Sequence, residues 1–359
     1  MATGPLRGVR IVEFAGIGPA PFASMMLADM GADIIRIAKP GTGAPGPAEF
    51  LQRSRSTVEV DLKDLAQRAK VKRLVCKCDA LVEGFRPGVM ERNGLGPESL
   101  MRDNAKLVYG RMTGWGQTGP LAQAAGHDIN YISLSGALAA IGPAERPAVP
   151  LNLVGDYGGG ALYLVTGILA AIIDARATGR GQVVDAAMCD SVASLMTIFH
   201  YLAQTGRWQE RRESNLLDGG RPFYTTYTCK DGRFMAAGPL EPQFYEEFLR
   251  RLGLLGDPLF DHQNDSAAWP AMRERLEQVF ATRTQDEWVA IFEGSDACVT
   301  PVLTVSQAHT HPHLAARGSY VVRDGRVQPA PAPRFSRTPS SIQEDKPALT
   351  TLDQMLAAW

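Results

Sequence analysis

The sequence lacks a large net charge of either sign and a long uninterrupted apolar run. Its 37 Lys and Arg residues nearly balance 38 Asp and Glu residues, which leaves a formal net charge of −1 at pH 7. No overall field attracts nucleic acid or an anionic membrane, so any phosphate must be bound by a local group of cations. The longest apolar run, residues 161–173, is shorter than the roughly 20 residues that a membrane-spanning helix needs. We therefore expect a cytoplasmic protein that binds neither nucleic acid nor membrane.

Paired cysteines are also lacking. Apart from a single Cys-x-Cys, the five cysteines are scattered, and no second pair stands at zinc-ligand spacing. The alternating histidines of "HTHPH" (residues 309–313) have no cysteine beside them and are interrupted by Pro312, so we expect a loop there. The sequence predicts no metal site and five reduced thiols, at Cys76, Cys78, Cys189, Cys229 and Cys298.

The first strand is followed by "AGIGPAPFA", which lacks the third glycine of a dinucleotide-binding fingerprint. Prolines interrupt the segment in which that fingerprint would place its glycines. A nicotinamide site is therefore not expected, and a tight strand-to-helix turn is the simpler interpretation. A helix that begins there still offers N–H groups to a ligand phosphate.

Strands and helices alternate along the first part of the chain, which predicts an α/β fold with a parallel sheet. The pattern changes near residue 220, where "PFYTTYTCKDGRFMAAG" predicts a hairpin that turns at Asp-Gly. Helical segments follow, so residues 220–305 are predicted to form a smaller α+β domain.

Basic residues recur near the ends of the predicted strands. Ligands of parallel sheets gather beyond the carboxyl ends of the strands, so several cations there suit a polyphosphate ligand. An ordinary charged surface explains the same pattern, and the sequence leaves both interpretations open. The residues are Arg36, Lys39, Arg53, Arg55, Lys63, Arg86 and Arg92.

In "LNLVGDYGGG", Asn152 and Asp156 are four residues apart, which puts them on one face of a helix. The three glycines after Tyr157 let a ligand or another backbone come close. Asp156 as a simple helix cap is the alternative, although a cap does not explain the glycines.

In "GHDINY", His127 and Asp128 precede a predicted helical turn. Asp128 is the expected N-cap, and the backbone N–H groups at such a start can stabilise a developing oxyanion. A structural histidine is the alternative at this point.

Five blocks, "RMTGWGQTGP…AGHDINYISLSG", "LNLVGDYGGG", "GRGQVVDAAM", "VEGFRPGVMERNGLGP" and "SDACVTPVL", resemble the α-methylacyl-CoA racemases of the family III CoA-transferase superfamily. The resemblance spans nearly the whole chain, in order. It implies a Rossmann-like large domain over 1–190, completed by 330–359, and a small α+β domain over 220–305. A linker helix over 191–219 and a return linker over 306–329 would join them, and two chains would interlock as a homodimer.

The resemblance implies that the substrate is a 2-methylacyl-CoA thioester, whose (2R) and (2S) forms interconvert by proton transfer through an enolate. No cofactor is expected, because coenzyme A is part of the substrate. By resemblance, His127 and Asp156 are the acid/base groups on the two faces of the α-carbon. Asn152 would pair with Asp156, Glu241 of the second subunit with His127, and the Asp128 N–H with the thioester oxygen.

The resemblance also implies a set of coenzyme A contacts. Position 39 is lysine where relatives can carry arginine, which keeps the charge and loses the bidentate fork. Met112 and Met188 are candidates for the apolar surface under the acyl chain. The predicted contacts are Lys39, Val60, Asp61, Leu62, Lys63, Gly84, Phe85, Arg86, Arg92, Gly126, Ile129, Asn130 and Tyr131.

Two alternatives stay open. A family III CoA-transferase would use Asp156 as a nucleophile, and it has no need of a second proton-transfer group such as His127. A non-catalytic acyl-CoA-binding protein would keep the cations and have no need of His127, Glu241 or Asn152. The presence of the complete set favours the racemase.

Overall fold

The structure is a computed structural model that describes residues 3–42, 49–343 and 349–359. The chain divides into two compact units. Unit 1 takes its residues from Met1–Ala137, Pro150–Thr197 and Gly318–Trp359, and unit 2 from Leu138–Val149 and Ile198–Arg317.

Unit 1 is built on a seven-stranded sheet in which every neighbouring pair is parallel. Its strands are β1 (Arg10–Phe14), β2 (Asp33–Ala38), β3 (Ser56–Glu59), β4 (Ala80–Glu83), β5 (Val108–Thr113), β6 (Val183–Ala187) and β12 (Leu349–Thr350). Their order across the sheet is β12-β3-β2-β1-β4-β5-β6. The predicted α/β class with a Rossmann-like parallel sheet is confirmed.

The strand order reverses between β1 and β4. From β1 the chain winds outward through β2 to β3, and it then returns to place β4 on the other side of β1. The connections on the two sides leave in opposite directions, so a crevice opens beyond the carboxyl ends of β1 and β4. This is where a ligand site is expected in such a sheet.

Helices cover both faces of the sheet because β1 is apolar on both. Ile11 packs with Leu27 and Ile168 on one face, and Val12 packs with Leu74 on the other. The helices of unit 1 are α1 (Pro19–Asp29), α2 (Leu65–Val75), α3 (Val89–Arg92), α4 (Pro97–Asp103), α5 (Asp128–Leu134), a π-helix (Leu153–Ala161), α7 (Leu162–Thr178), α8 (Met188–Leu195) and α15 (Leu352–Ala358), while α6 (Ala137–Ala140) and α9 (Thr197–Gln204) belong mainly to unit 2.

The π-helix and α7 form one continuous helix, Leu153–Thr178, of 26 residues. The apolar run 161–173 is therefore only part of a longer helix, which by length and composition alone is sufficient to cross a membrane. Half of its most apolar stretch is buried, and Leu164 and Ile168 are fully inaccessible in the core of unit 1. A buried core helix can have the same length and apolar composition as a membrane-spanning helix.

Unit 2 contains the predicted hairpin and helices. Strands β7 (Thr225–Thr228) and β8 (Phe234–Ala237) pair antiparallel, and an unpredicted strand, β9 (Val299–Pro301), joins them. Gly232 in the turn has a φ of 78°, which its lack of a Cβ permits. The helices are α10 (Pro242–Leu252), α11 (Trp269–Phe280), α12 (Gln285–Phe292), α13 (Val305–Ala308) and α14 (Pro312–Ala316).

The two predicted linkers differ from the structure. Residues 191–219 are not one helix, since α8 and α9 are followed by an irregular segment in which Asn215 and Asp218 hydrogen-bond to nearby backbone. The predicted return linker 306–329 contains α13, α14 and a hairpin of β10 (Tyr320–Arg323) and β11 (Arg326–Pro329). Short elements of this kind have too little periodicity to stand out in a sequence.

The C-terminal segment packs on unit 1. Strand β12 pairs with β3, and the Trp359 indole N–H donates to Asp33 Oδ2 at 2.7 Å. Arg10 Nη1 donates to the Trp359 carbonyl at 2.8 Å.

Candidate active site

A pocket of about 540 Å³ lies at the crevice where the strand order reverses. Its walls come from the segments that leave β1 (Ile17–Ala20), β4 (Gly84–Pro87) and β5 (Gly114–Trp115), from the loop that ends at His127, and from the π-helix. The volume suits part of a ligand of drug size. Predicted residues His127, Asn152 and Asp156 all line it.

His127 stands at the N-cap of α5. Its backbone is extended (φ −131°), and its N–H donates to Asn130 Oδ1 at 3.0 Å. The prediction that Asp128 is the N-cap was wrong by one residue, because Asn130 closes a hydrogen bond back to position 127. The His127 side chain is exposed to the pocket's solvent.

Asp128 is the first helical residue, and its carboxylate is buried. Its Oδ2 accepts the backbone N–H of Asp156 at 2.6 Å, which ties α5 to the π-helix. A Cβ on Gly155 would lie 2.4 Å from the same oxygen, so only glycine leaves room for this contact. The backbone N–H of Asp128, in the first turn, has no acceptor within the helix.

Asp156 lies in the π-helix, next to Asn152. The Tyr157 N–H reaches back five residues to the Asn152 carbonyl at 3.2 Å, and Asn152 Nδ2 donates to Asp156 Oδ2 at 3.1 Å. The predicted Asn152–Asp156 contact is confirmed. A Cβ on Gly18 would be 3.0 Å from Asp156 Oδ2, so the turn after β1 also lies against this carboxylate.

The pKa of Asp156 is raised, and partial burial is the largest cause. The hydrogen bond from Asn152 lowers the pKa, the charge of Asp128 raises it, and His127 lowers it. A raised pKa makes the protonated carboxyl more accessible, which is what a group that acts both as acid and as base requires.

The glycines after Tyr157 serve close packing. A Cβ on Gly159 would lie 2.7 Å from Val192 Cγ2, and a Cβ on Gly160 would lie 2.9 Å from Pro19 Cβ. They allow the π-helix to approach α1 and α8 closely. Of the two interpretations of this run, a cap at Asp156 is excluded and close approach is supported.

Three of the seven predicted cations are not available to a ligand. Arg55 pairs with Glu13 at 2.5 Å with both side chains fully buried, and Arg53 pairs with Asp29 at 2.6 Å. Arg36 is buried in the sheet opposite Glu13. The sequence shows a positive charge near a strand end without showing whether a carboxylate from another strand already neutralises it.

The other four cations, Lys39, Lys63, Arg86 and Arg92, are exposed. Lys39 follows β2, Val60–Lys63 follow β3, and Gly84–Arg86 follow β4, so the parallel sheet puts all three segments at one edge. Among the predicted contacts, Gly84, Phe85, Arg86, Gly126 and Tyr131 line the pocket.

The remaining predicted residues lie elsewhere. Lys39, Val60–Lys63 and Arg92 are outside the pocket lining, as are Ile129 and Asn130 on the first turn of α5. Glu241 is exposed at the N-cap of α10, in unit 2.

Several lining residues were not identified from the sequence. Trp115 meets Tyr131 edge to face at 4.7 Å, and Tyr157 stacks on Phe22 at 4.3 Å. The methionines Met112 and Met188, named in the sequence analysis, also line the pocket. The "TGWG" turn after β5 was a signal for Trp115, because residues that follow a parallel strand reach the ligand edge.

Comparisons with known proteins identify a family, similar sequences and a similar solved structure. The model of CoA-transferase family III matches residues 6–351. The α-methylacyl-CoA racemase of Mus musculus is 46% identical over 338 residues, 93% of this chain and 87% of the mouse protein. The human α-methylacyl-CoA racemase is 44% identical over 337 residues, with the same coverage. A CAIB/BAIF family protein from Brucella suis has a similar structure, with a TM-score of 0.81 and 25% identity over 99% of this chain and 98% of that one.

Proposed function

The chain belongs to CoA-transferase family III, and we propose that it is an isomerase that interconverts (2R)- and (2S)-2-methylacyl-CoA thioesters. The racemases of mouse and human, at 46% and 44% identity, support this assignment over most of the chain. The structural observation that carries it is the presence of His127 and Asp156 on the wall of one pocket.

In the proposed reaction, one of the two groups removes the proton at C2 and the other returns a proton to the opposite face. When neutral His127 is the base, Asp156 must be protonated, and its raised pKa favours that form. In the reverse direction, ionised Asp156 removes the proton and protonated His127 supplies one. The pair therefore shares one proton in the active state.

Loss of the C2 proton leaves an enolate whose charge falls on the thioester oxygen. The N-terminus of α5 supplies a backbone N–H from Asp128 that has no intrahelical acceptor. An N–H group fixed in this way stabilises an oxyanion without reorganising during the reaction. We assign it that role.

We propose that coenzyme A is bound at the carboxyl edge of the sheet by the four exposed cations, Lys39, Lys63, Arg86 and Arg92. The acyl chain then lies near Met112 and Met188. Proton transfer at C2 requires only the two acid/base groups and the oxyanion donor, so no cofactor besides the substrate's own coenzyme A is proposed.

We further propose a cytoplasmic homodimer of interlocked chains. In it, Glu241 of the partner subunit would pair with His127, which has an exposed side chain. A carboxylate beside a histidine stabilises the imidazolium that forms when the histidine accepts a proton.

The proposed function is tested by incubating the protein with one enantiomer of a 2-methylacyl-CoA in deuterated water. We expect loss of optical purity together with deuterium at C2, without any added acceptor acid. In a parallel incubation with an added carboxylic acid, formation of that acid's coenzyme A thioester and release of the 2-methyl acid, without deuterium at C2, would indicate a CoA-transferase in which Asp156 is the candidate nucleophile. Binding of thioesters without turnover of any of them would indicate a non-catalytic acyl-CoA-binding protein.

A further inference from the structure

The proposed coenzyme A site is assembled from segments that are separate in the chain. Gly84–Arg86 follow β4, Arg92 ends α3, and Trp115 and Gly126 belong to the loop between β5 and α5. Short segments of this kind lose conformational freedom on binding unless something already holds them in place. A side chain that contacts all three would reduce that loss.

Arg111 on β5 is such a side chain. Its Nη1 donates to Gln117 Oε1 at 2.5 Å in the loop after β5, and its Nη2 donates to Glu91 of α3. Its Nε lies 3.5 Å from Glu83 Oε1, at the end of β4. The guanidinium is about nine-tenths buried and lies 5.2 Å from the Tyr109 ring. It does not line the pocket.

Each of these contacts connects Arg111 to a segment of the chain that is proposed to bind the substrate. Glu83 Oε2 accepts the N–H of Phe85 at 2.7 Å, which closes the turn that carries Gly84–Arg86. Glu91 immediately precedes Arg92. The Gln117 backbone N–H donates to Asp185 Oδ2 at 3.2 Å, which fastens the β5 loop to β6.

Glu83 needs this cation. Burial raises its pKa to about 7, and Arg111 is the charged neighbour that lowers it. Without Arg111 the carboxyl would be more fully protonated, and it would accept the Phe85 N–H less strongly. The contact thus links the charge of Arg111 to the shape of the Gly84–Arg86 turn.

We propose that Arg111 is a positioning residue that holds the Gly84–Arg86 turn, α3 and the β5 loop in the arrangement that binds the coenzyme A part of the thioester. This inference rests on the proposed function, since it takes coenzyme A as the ligand. Arg111 acts through Glu83, Glu91 and Gln117 and touches no reacting atom.

The test compares Arg111→Lys with Arg233→Lys. Lysine keeps the charge and loses the fork that reaches several partners. Arg233 is the matched control because it also pairs with two carboxylates, Asp231 at 2.8 Å and Asp286 at 2.9 Å, in unit 2. The affinity for free coenzyme A is measured by calorimetry, and KM and kcat are measured for a 2-methylacyl-CoA.

For Arg111→Lys we expect the Kd of coenzyme A and KM to rise roughly tenfold, since charged hydrogen bonds are lost. The kcat should change by less than about threefold, because ground state and transition state lose the same binding. Arg233→Lys should leave all three values unchanged. A Kd and KM for Arg111→Lys that match the wild type would overturn the inference while the proposed function stands.

A second variant separates positioning from a general loss of folding. Glu91→Gln changes a half-exposed side chain and should raise KM by roughly threefold alone, but add little in the Arg111→Lys background, because both remove one interaction. Additive effects would contradict a shared role. A wild-type protein that binds no coenzyme A and turns over no thioester would instead refute the proposed function, and this inference with it.

Discussion

His127 and Asp156, the two proposed acid/base groups, are held in opposite ways. Asp156 is fixed twice, since its N–H donates to Asp128 at 2.6 Å and its carboxylate accepts from Asn152 at 3.1 Å. His127 is held at its backbone, whose N–H donates to Asn130 at 3.0 Å, and its side chain is exposed.

The difference matters for a reaction that needs one group on each face of a carbon. A half-buried carboxylate with a fixed position sets where the substrate carbon must lie, and its environment sets its pKa. An exposed imidazole can be oriented later, by substrate or by a second subunit. Disturbing the Asp156 side should therefore have the larger effects, apart from removal of either group itself.

The largest effect is expected for His127→Ala and Asp156→Asn. Each removes one of the two proton-transfer groups, which general acid–base catalysis makes worth about 10²–10⁴-fold in rate. Deuterium incorporation at C2 from each enantiomer measures the loss, and coenzyme A affinity should be retained. His262→Ala, which changes an exposed histidine in unit 2, is the control. Full activity in either variant would refute the two-group assignment.

The next effect is expected for Gly155→Ala. The new Cβ would lie 2.4 Å from Asp128 Oδ2, so this carboxylate must move away from the Asp156 N–H. Overpacking of this kind costs about 1–3 kcal/mol of unfolding free energy. The unfolding free energy, measured by denaturant titration, and kcat should both fall. Gly16→Ala, where a Cβ meets nothing within 4 Å, should leave stability unchanged.

A smaller effect is expected for Asn152→Ala, which leaves Asp156 without its hydrogen-bond donor. We expect kcat to fall by roughly tenfold. The hydrogen bond lowers the pKa of Asp156, so its loss raises that pKa further. In the direction in which Asp156 is the base, the rate increases as pH rises through this pKa, and that limb should move to higher pH. A pH–rate profile measured for each direction checks the sign, and an unmoved limb would contradict it.

The smallest effect is expected for Asn130→Ala, which removes the acceptor of the His127 N–H. Loss of a helix-capping interaction costs about 0.5–2 kcal/mol, part of which affects the helix and not the imidazole. The rate should fall a few-fold, less than for Asn152→Ala, without a shift in the Asp156 limb. A larger loss than for Asn152→Ala would reverse the comparison.

Much of the fold could be predicted from the sequence because its large elements have strong patterns. Strands β1 to β6, the hairpin of unit 2 and helix α10 follow from apolar periodicity and turn residues. The β10–β11 hairpin and β9 were missed because these short strands are mostly half-buried or exposed and lack the buried apolar residues of the equally short β3 and β4. The N-cap at His127 was placed one residue late because Asp128 is the stronger capping residue by type, while Asn130 decided the position.

The sequence by itself determined the residue types of the site and their local spacing. It predicted Asn152 and Asp156 on one helical face and the sheet edge at which Lys39, Lys63 and Arg86 lie. Only the tertiary structure decided which groups meet. Residues far apart in the chain come together at the crevice where the strand order of the sheet reverses. In the folded chain, Arg55 forms an ion pair with Glu13, and the Asp128 carboxylate accepts the Asp156 N–H. Arg111 contacts three segments of the crevice. Such pairings depend on which side chains share a buried volume, where an unpaired polar group is costly, and local sequence does not encode that.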